Sequence, residues 1–129
     1  MSTDKIELRT DGAPQPIGGY SQGIRVGDLI FVSGQGPVDP ATGVVTGVTI
    51  AEQTAATLKN LSSILASGGA TLNDVVKATV HLADLSDFDE YDRVYKTFFD
   101  SPRPVRTTVG SALMGILVEI DVIAHVPAR

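Results

Sequence analysis

The sequence contains no cysteine, which excludes disulfides, thiolate zinc sites and a cysteine nucleophile at once. It also has no excess of basic residues, because 10 Lys and Arg stand against 15 Asp and Glu and give a net charge of -5. Nucleic-acid binders normally present a basic face, and the basic residues here are scattered, so nucleic acid is not an expected partner. No run approaches the roughly 18 apolar residues of a membrane span, and the first residues carry no apolar signal sequence. We therefore expect a soluble, cytoplasmic protein with no membrane partner.

What is present is the composition of an ordinary folded protein. Of the 129 residues, 43% are hydrophobic and 19% are charged, whereas a disordered chain would have fewer apolar residues and more net charge. This length suffices for one hydrophobic core and is too short for two. We predict a single domain over residues 1–129.

The first third of the chain predicts β-strands. Residues 5–9 alternate between polar and apolar side chains, as in a short strand. Two β-favouring runs, 21–26 and 29–33, flank the turn dipeptide Gly27-Asp28 and predict a hairpin. The second run contains Leu-Ile-Phe-Val without interruption, so we expect this strand to be buried on both faces.

A first helix is predicted in the middle of the chain. Thr49 and Glu52 have the spacing of a capping box, which marks a helix start, and Gly68-Gly69 marks its end. Between them, apolar side chains recur at helical spacing and predict the buried stripe Ala51, Ala55, Leu58, Leu61 and Leu65.

The remaining elements are a strand, a second helix and a final hairpin. Residues 75–82 alternate and are β-branched, which predicts a strand. Ser86 or Asp87 can cap the second helix, and Pro102 follows its end. Its aromatic stripe, which we assign to the core, is Phe88, Tyr91, Tyr95 and Phe98. Strands at 105–110 and 117–125 are expected to pair with each other across a short turn.

This order of elements predicts an α+β fold, with a mostly antiparallel, mixed sheet and two helices packed on one face. In the last strand one set of alternating residues is apolar: Val118, Ile120, Val122 and Ala124. The other set mixes aliphatic and charged side chains: Leu117, Glu119, Asp121, Ile123 and His125. A face of mixed character suggests a partly buried surface such as a subunit interface.

Arg106 and Glu119 are the sharpest candidate pair. If the last two strands form a hairpin with residues 111–114 as its loop, these two side chains face each other on one side of the sheet. Two readings stay open at this point, a cross-strand salt bridge and a functional pair.

Other motifs predict no further chemistry. Glu119, Asp121 and His125 alternate on one strand face and could supply metal ligands, but two histidines in the whole chain do not make a persuasive site, so no metal is expected. Neither histidine accompanies a serine nucleophile motif, and the glycines lack the spacing of a phosphate-binding loop.

Four motifs, taken together, resemble one family. They are Gly-Gly-Tyr20-Ser-Gln-Gly, Phe-Val-Ser33-Gly34-Gln35-Gly-Pro-Val-Asp-Pro, Val-Arg106-Thr-Thr-Val and Leu-Val-Glu119-Ile-Asp-Val-Ile-Ala. In this order they are similar to the Rid family, the YjgF-like reactive-intermediate deaminases, also called L-PSP endoribonucleases. The resemblance runs from about residue 10 to residue 127.

The resemblance implies a chorismate-mutase-like fold and a homotrimer with active sites at the subunit clefts. It implies hydrolysis of 2-iminobutanoate, 2-iminopropanoate or similar enamines and imines to a 2-keto acid and ammonia, with no cofactor. By the same resemblance Arg106 binds the substrate carboxylate and Glu119 positions water and the imine nitrogen. Tyr20 and Ser33 would line the pocket, and Gly34 would offer a backbone N–H.

The sequence departs from the family pattern at three places. Asp92 stands where well-known members have a pocket asparagine, and its carboxylate would repel an anionic substrate unless Arg93 or a neighbouring chain pairs with it. Gly19 replaces a common proline, and the segment between Arg106 and Glu119 is two residues shorter. Two alternative functions stay open, an endoribonuclease and a non-catalytic, small-molecule-binding or chaperone-like trimer.

Overall fold

The computed structural model describes residues 4–128, which form a six-stranded sheet and two α-helices. The strands are β1 (Ile6–Leu8), β2 (Gly23–Val26), β3 (Leu29–Gln35), β4 (Val75–Leu82), β5 (Val105–Gly110) and β6 (Val118–His125). The helices are α1 (Ile50–Ser67) and α2 (Phe88–Tyr95), and single 3-10 turns lie at Leu72–Asp74, Leu85–Asp87 and Lys96–Phe98. The predicted α+β class is confirmed.

The order of the strands across the sheet corrects the predicted final hairpin. That order is β1-β2-β3-β6-β4-β5. β6 pairs antiparallel with both β3 and β4, whereas β5 pairs with β4 in parallel. The prediction was wrong because it assumed that consecutive strands are neighbours, which is common but not required. Here α2 carries the chain over the sheet to the edge, and β6 returns to the centre, where its apolar residues are buried.

Helix α1 begins and ends as predicted. The Thr49 hydroxyl accepts a hydrogen bond from the Glu52 backbone N–H, and the Glu52 carboxylate accepts one from the Thr49 N–H. Gly69 follows the helix with φ +85°, a left-handed conformation that glycine adopts without strain. Neither helix among residues 4–128 is long and apolar enough to cross a membrane.

The aromatic stripe of α2 lies in the core, as predicted. Tyr91 and Tyr95 are buried, and successive ring centroids from Phe88 through Tyr91 and Tyr95 to Phe99 are 5.7, 5.7 and 4.7 Å apart. Phe98 packs against the core partly buried, as Phe88 does, and Phe99, which follows the 3-10 turn after Tyr95, adds one more buried ring.

The two faces of the sheet differ in character. The helix-covered face is aliphatic and closed, with Ile30, Val80 and Ile120 fully buried. On the open face, Phe31 keeps 42% of its surface exposed and Leu29 keeps 37%. The prediction that β3 is buried on both faces is therefore wrong for a single chain. The predicted mixed face of the last strand is confirmed, since the residues from Glu119 to Ile123 on that side are only partly buried.

Buried amides hold the two long loops in place. The Gln22 side chain accepts a hydrogen bond from the Thr10 N–H and donates to the carbonyls of Thr10 and Pro14. The Asn60 amide donates to the carbonyls of Gly36 and Val38. Such bonds satisfy backbone groups that would otherwise be unpaired under the loops. They fix the loop that leads to Tyr20 and the segment that follows Ser33 and Gly34.

Candidate active site

Arg106 lies on the helix-covered side of the edge strand β5. It is paired in register with Ala78, which is fully buried beneath the helices. The Arg106 Cζ atom is 5.4, 5.2 and 4.7 Å from the ring centroids of Phe88, Tyr91 and Tyr95. Three aromatic rings at such distances attract a cation and restrict its rotamers. The guanidinium is thus held by the core of α2 rather than by the strand that carries Glu119.

Arg106 already has a carboxylate partner within the chain. Its Nη1 donates a 2.6 Å hydrogen bond to Asp92 Oδ1, with side-chain exposures of 21% and 32%. Burial alone would lower the pKa of Arg106, but the hydrogen bond to Asp92 and the charges of its neighbours outweigh burial, so the pKa is raised. Arg93, the partner considered for Asp92, pairs with Glu90 instead.

A cleft of about 370 Å³ opens beside this ion pair. Its lining residues are Asp92, Tyr95, Lys96, Arg103, Pro104 and Arg106. The Tyr95 hydroxyl is buried and has no hydrogen-bond partner among residues 4–128. Burial raises the pKa of the Tyr95 phenol to about 12, so it remains a neutral hydrogen-bond donor at pH 7. We call this the arginine cleft.

Glu119 lies on the open face of the sheet, in a second cleft of about 660 Å³. Its strand neighbour in register is His81 on β4. The cleft is lined by a polar set, which includes Tyr20, Gly34, His81, Ser111 and Glu119, and by an apolar set, which includes Leu113, Met114 and Ile116. None of the ion pairs formed within residues 4–128 involves Glu119. We call this the glutamate cleft.

The Glu119 carboxylate packs against the backbone of Gly34. A Cβ atom placed on Gly34 would lie only 2.7 Å from Glu119 Oε2, so the approach requires glycine. β3 is irregular at this point, because Ser33 and Gly34 lie between the register pairs Val32 to Val122 and Gln35 to Ile120. A bulge of this kind frees backbone groups from the ladder and often adjoins a site.

The other two candidate residues of this region have local partners. The Tyr20 hydroxyl accepts a hydrogen bond from the Ile17 N–H, and Tyr20 is 47% exposed at the cleft. The Ser33 hydroxyl donates a 2.6 Å hydrogen bond to the Ser21 carbonyl. Ser33 thereby ties β3 to the loop that carries Tyr20, and its oxygen keeps a lone pair for a further donor.

The sequence did not reveal a histidine–serine pair beside Glu119. His81 Nδ1 lies 2.7 Å from Ser111 Oγ, and both residues line the glutamate cleft. Burial raises the pKa of nearby Asp121, although the charge of His81 lowers it. The alternation of β4 put His81 on the open face, but its contacts depend on strand order, which no local pattern gives.

Arg106 and Glu119 do not face each other, which corrects the central geometric prediction. Arg106 is in register with Ala78 and Glu119 with His81, and these two β4 residues are an odd number of positions apart. Successive strand residues point to opposite faces, so the two side chains lie on opposite sides of the sheet. The predicted cross-strand salt bridge between Arg106 and Glu119 is therefore wrong, and Arg106 pairs with Asp92 instead.

Comparison with known proteins gives the family. A family model described as endoribonuclease L-PSP matches residues 10–126. The chain belongs to the L-PSP endoribonuclease family, the Rid family. The resemblance inferred from the four motifs is confirmed.

Relatives of this L-PSP family member carry several names. A RutC family protein of Pyrococcus abyssi is 46% identical over 123 residues, covering 94% of this chain and 97% of that protein. The 2-iminobutanoate/2-iminopropanoate deaminase of Mus musculus is 40% identical over 119 residues, covering 91% and 88%. The crystal structure of E. coli TdcF with bound serine superposes with a TM-score of 0.87 at 36% identity, covering 94% and 98%.

The L-PSP family member thus divides its candidate residues between two clefts. Asp92 and Arg106 line the arginine cleft. Tyr20, Gly34 and Glu119 line the glutamate cleft, and Ser33 directly precedes Gly34 in the sequence. Within residues 4–128, no group of three His, Asp or Glu side chains is placed to hold a metal ion.

Proposed function

We propose that this protein is a hydrolytic deaminase of reactive 2-imino and enamine acids, of the 2-iminobutanoate and 2-iminopropanoate type, which releases a 2-keto acid and ammonia. The observation that carries the proposal is the guanidinium of Arg106, held among three aromatic rings with only one of its nitrogens bonded to Asp92. Its planar fork suits a substrate carboxylate. The name of the mouse relative supports the same chemistry.

The opposite placement of Arg106 and Glu119 supports a homotrimer with shared sites. One chain cannot bring both side chains to one small substrate, because β4 lies between their strands and they project from opposite faces. Two chains can, if the arginine cleft of one subunit meets the glutamate cleft of the next. A closed ring of three such heterologous contacts would form three sites. The half-exposed Leu29 and Phe31 on the open face provide apolar surface for this contact.

The chemistry needs orientation and proton transfer rather than a strong nucleophile. Arg106 binds the carboxylate, and Glu119 of the neighbouring subunit takes a proton from a water as its oxygen bonds to the imine carbon. Glu119 returns this proton to the nitrogen, which completes a carbinolamine. It then takes the proton of the new hydroxyl group and passes it to the nitrogen, so that the C–N bond breaks and ammonia leaves as the carbonyl forms. Atoms and electrons balance without a redox cofactor. Tyr20, Ser33 and the Gly34 N–H line the pocket and orient the substrate.

A subunit-mixing experiment tests the site and the assembly together. An amino-acid oxidase generates imines from several amino acids, and release of the keto acid is followed with each protein present. Arg106→Ala and Glu119→Gln should each lose most of their activity, with Arg93→Ala and Asp121→Asn as matched controls on α2 and β6. Co-expression of the two impaired variants should restore about a quarter of the wild-type activity, because random mixing rebuilds that share of the sites.

Four results would count against the proposal. Mixed subunits without activity would mean that Arg106 and Glu119 do not share a site. Sedimentation showing only monomer at micromolar concentration would remove the shared site altogether. RNA cleavage that survives Arg106→Ala, without imine hydrolysis, would favour the endoribonuclease activity in the family's name, and keto-acid binding without turnover would favour a non-catalytic binding protein.

A further inference from the structure

The arginine cleft carries more positive charge than a single carboxylate requires. Three cations, Lys96, Arg103 and Arg106, line it together with one anion, Asp92. Because Asp92 is engaged with Arg106, two positive charges are left without an anionic partner at the cleft. None of the ion pairs within residues 4–128 uses Lys96 or Arg103. A cleft of this kind attracts a ligand with two negative charges.

Arg103 is held at the cleft by its surroundings. Its Nη2 lies 3.5 Å from the carbonyl oxygen of Lys96, at the end of α2. Pro102 and Pro104 flank it in the sequence, and each fixes its own backbone φ. A cation on a stiffened segment loses less conformational freedom when it binds an anion.

The buried hydroxyl of Tyr95 is a second sign of a ligand. Tyr95 lines the arginine cleft with its ring against Arg106, and its buried hydroxyl has no hydrogen-bond partner among the described residues. A buried hydroxyl normally has a hydrogen-bond partner, so an unpaired one suggests an acceptor that this chain does not supply.

We infer that the substrates of this site are 2-imino acids with a second carboxylate. The inference rests on the proposed deaminase function and names its substrate class. The carboxylate next to the imine would pair with Arg106 and the distal one with Lys96 and Arg103. The reaction is the same hydrolysis, and its products are a 2-oxo dicarboxylate and ammonia. The volume of about 370 Å³ suits an acid of this size.

A matched pair of product analogues tests the inference. 2-Oxoglutarate and 2-oxopentanoate share one carbon skeleton and differ by a carboxylate in place of a methyl group. Calorimetric titration of wild type at low salt should give at least about tenfold tighter binding of the diacid, about 1.4 kcal/mol. This preference should shrink as salt is added, because the distal carboxylate is held by exposed cations.

Two variants locate the second carboxylate. Lys96→Ala with Arg103→Ala should remove most of the preference for the diacid and change the affinity for 2-oxopentanoate by less than about threefold. Arg93→Ala, which removes an exposed cation of α2 that is paired with Glu90, should keep the preference.

The outcomes separate this inference from the proposed function. Equal affinity of wild type for both acids, or a preference that survives in the double variant, would overturn the inference and leave the deaminase standing. If wild type binds neither acid, or binds both independently of Arg106, the proposed function fails and the inference fails with it.

Discussion

The arginine cleft and the glutamate cleft lie on opposite sides of one sheet, and each has functional groups that the other lacks. The arginine cleft has cations, aromatic rings and an unpaired tyrosine hydroxyl, and its carboxylate is tied to Arg106. The glutamate cleft has Glu119 free of ion pairs within residues 4–128, a histidine–serine pair and apolar walls, but no Lys or Arg in its lining. One can bind a carboxylate and the other can move a proton. Neither can do both.

In the isolated chain, each cleft therefore has only some of the groups that the proposed reaction needs. In the proposed trimer, charges that bind an anion and groups that exchange protons with water come together only where two subunits meet. Breaking one cleft at a time should therefore give variants with distinct defects, and substitutions at four positions sharpen the contrast.

The largest effect is expected from Glu119→Gln. The amide keeps the shape of the side chain against Gly34 but cannot take or return a proton, so turnover should fall by roughly 10²–10⁴-fold. Binding of 2-oxobutyrate should change little, because the carboxylate is bound in the other cleft. The assay is imine hydrolysis with calorimetric titration alongside, and Asp121→Asn on the same strand face is the control. Unchanged turnover would make Glu119 a structural residue.

The next effect is expected from Arg106, and it should appear in binding. Removing one member of a desolvated charge pair costs about 2–5 kcal/mol, so Arg106→Ala should bind 2-oxobutyrate about 30-fold more weakly or worse. Arg106→Lys should do nearly as badly, because an ammonium cannot present the planar fork. Titration of both variants and of Arg93→Ala provides the measurement. Wild-type affinity in Arg106→Ala would place the carboxylate site elsewhere.

A smaller effect of opposite sign is expected from Asp92→Asn. The Asp92 carboxylate occupies one nitrogen of Arg106 at 2.6 Å and repels an anionic ligand. The amide removes that charge, so 2-oxobutyrate should bind up to about tenfold more tightly, about 1.4 kcal/mol. Thermal unfolding should show a modest loss of stability, since Arg106 loses its ionic partner. Weaker binding in this variant would show instead that Asp92 orients Arg106 for the ligand.

The smallest expected effect is a change in the free energy of unfolding caused by Asp121, which lies on the open face of the sheet. Burial raises the pKa of Asp121 above 3.8, so folding disfavours its charged form. Below pH 3.8 the carboxyl group is protonated in both the folded and the unfolded chain, so the free energy of unfolding is not lowered. The loss of stability develops as the pH rises through the raised pKa of the folded chain. Asp121→Asn should therefore be more stable than wild type at pH 7, by less than about 1 kcal/mol. Thermal unfolding against pH checks this, with exposed Asp11→Asn as control; a pH-independent difference would contradict a charge effect.

Local patterns in the sequence determined the elements of this protein. The capping box at Thr49 and Glu52 and the glycines after Ser67 set the bounds of α1. The strand predicted from the alternating, β-branched residues 75–82 has the same bounds as β4. These patterns succeed because caps, turns and side-chain alternation depend on residues only a few positions apart. The family motifs also pointed to the candidate site residues, since a motif can be read without knowing which strands are neighbours.

Only the tertiary structure decided which of those residues meet. Alternation tells which residues of a strand share a face, but not which strand lies beside it, so the insertion of β6 between β3 and β4 could not be predicted. With that order, Arg106 and Glu119 lie on opposite faces and Arg106 pairs with Asp92, while the parallel pairing of β5 with β4 brings His81 to Ser111. The reason is physical: strand order is set by the burial of apolar side chains on the central strands and by the crossover of α2, both of which are long-range effects.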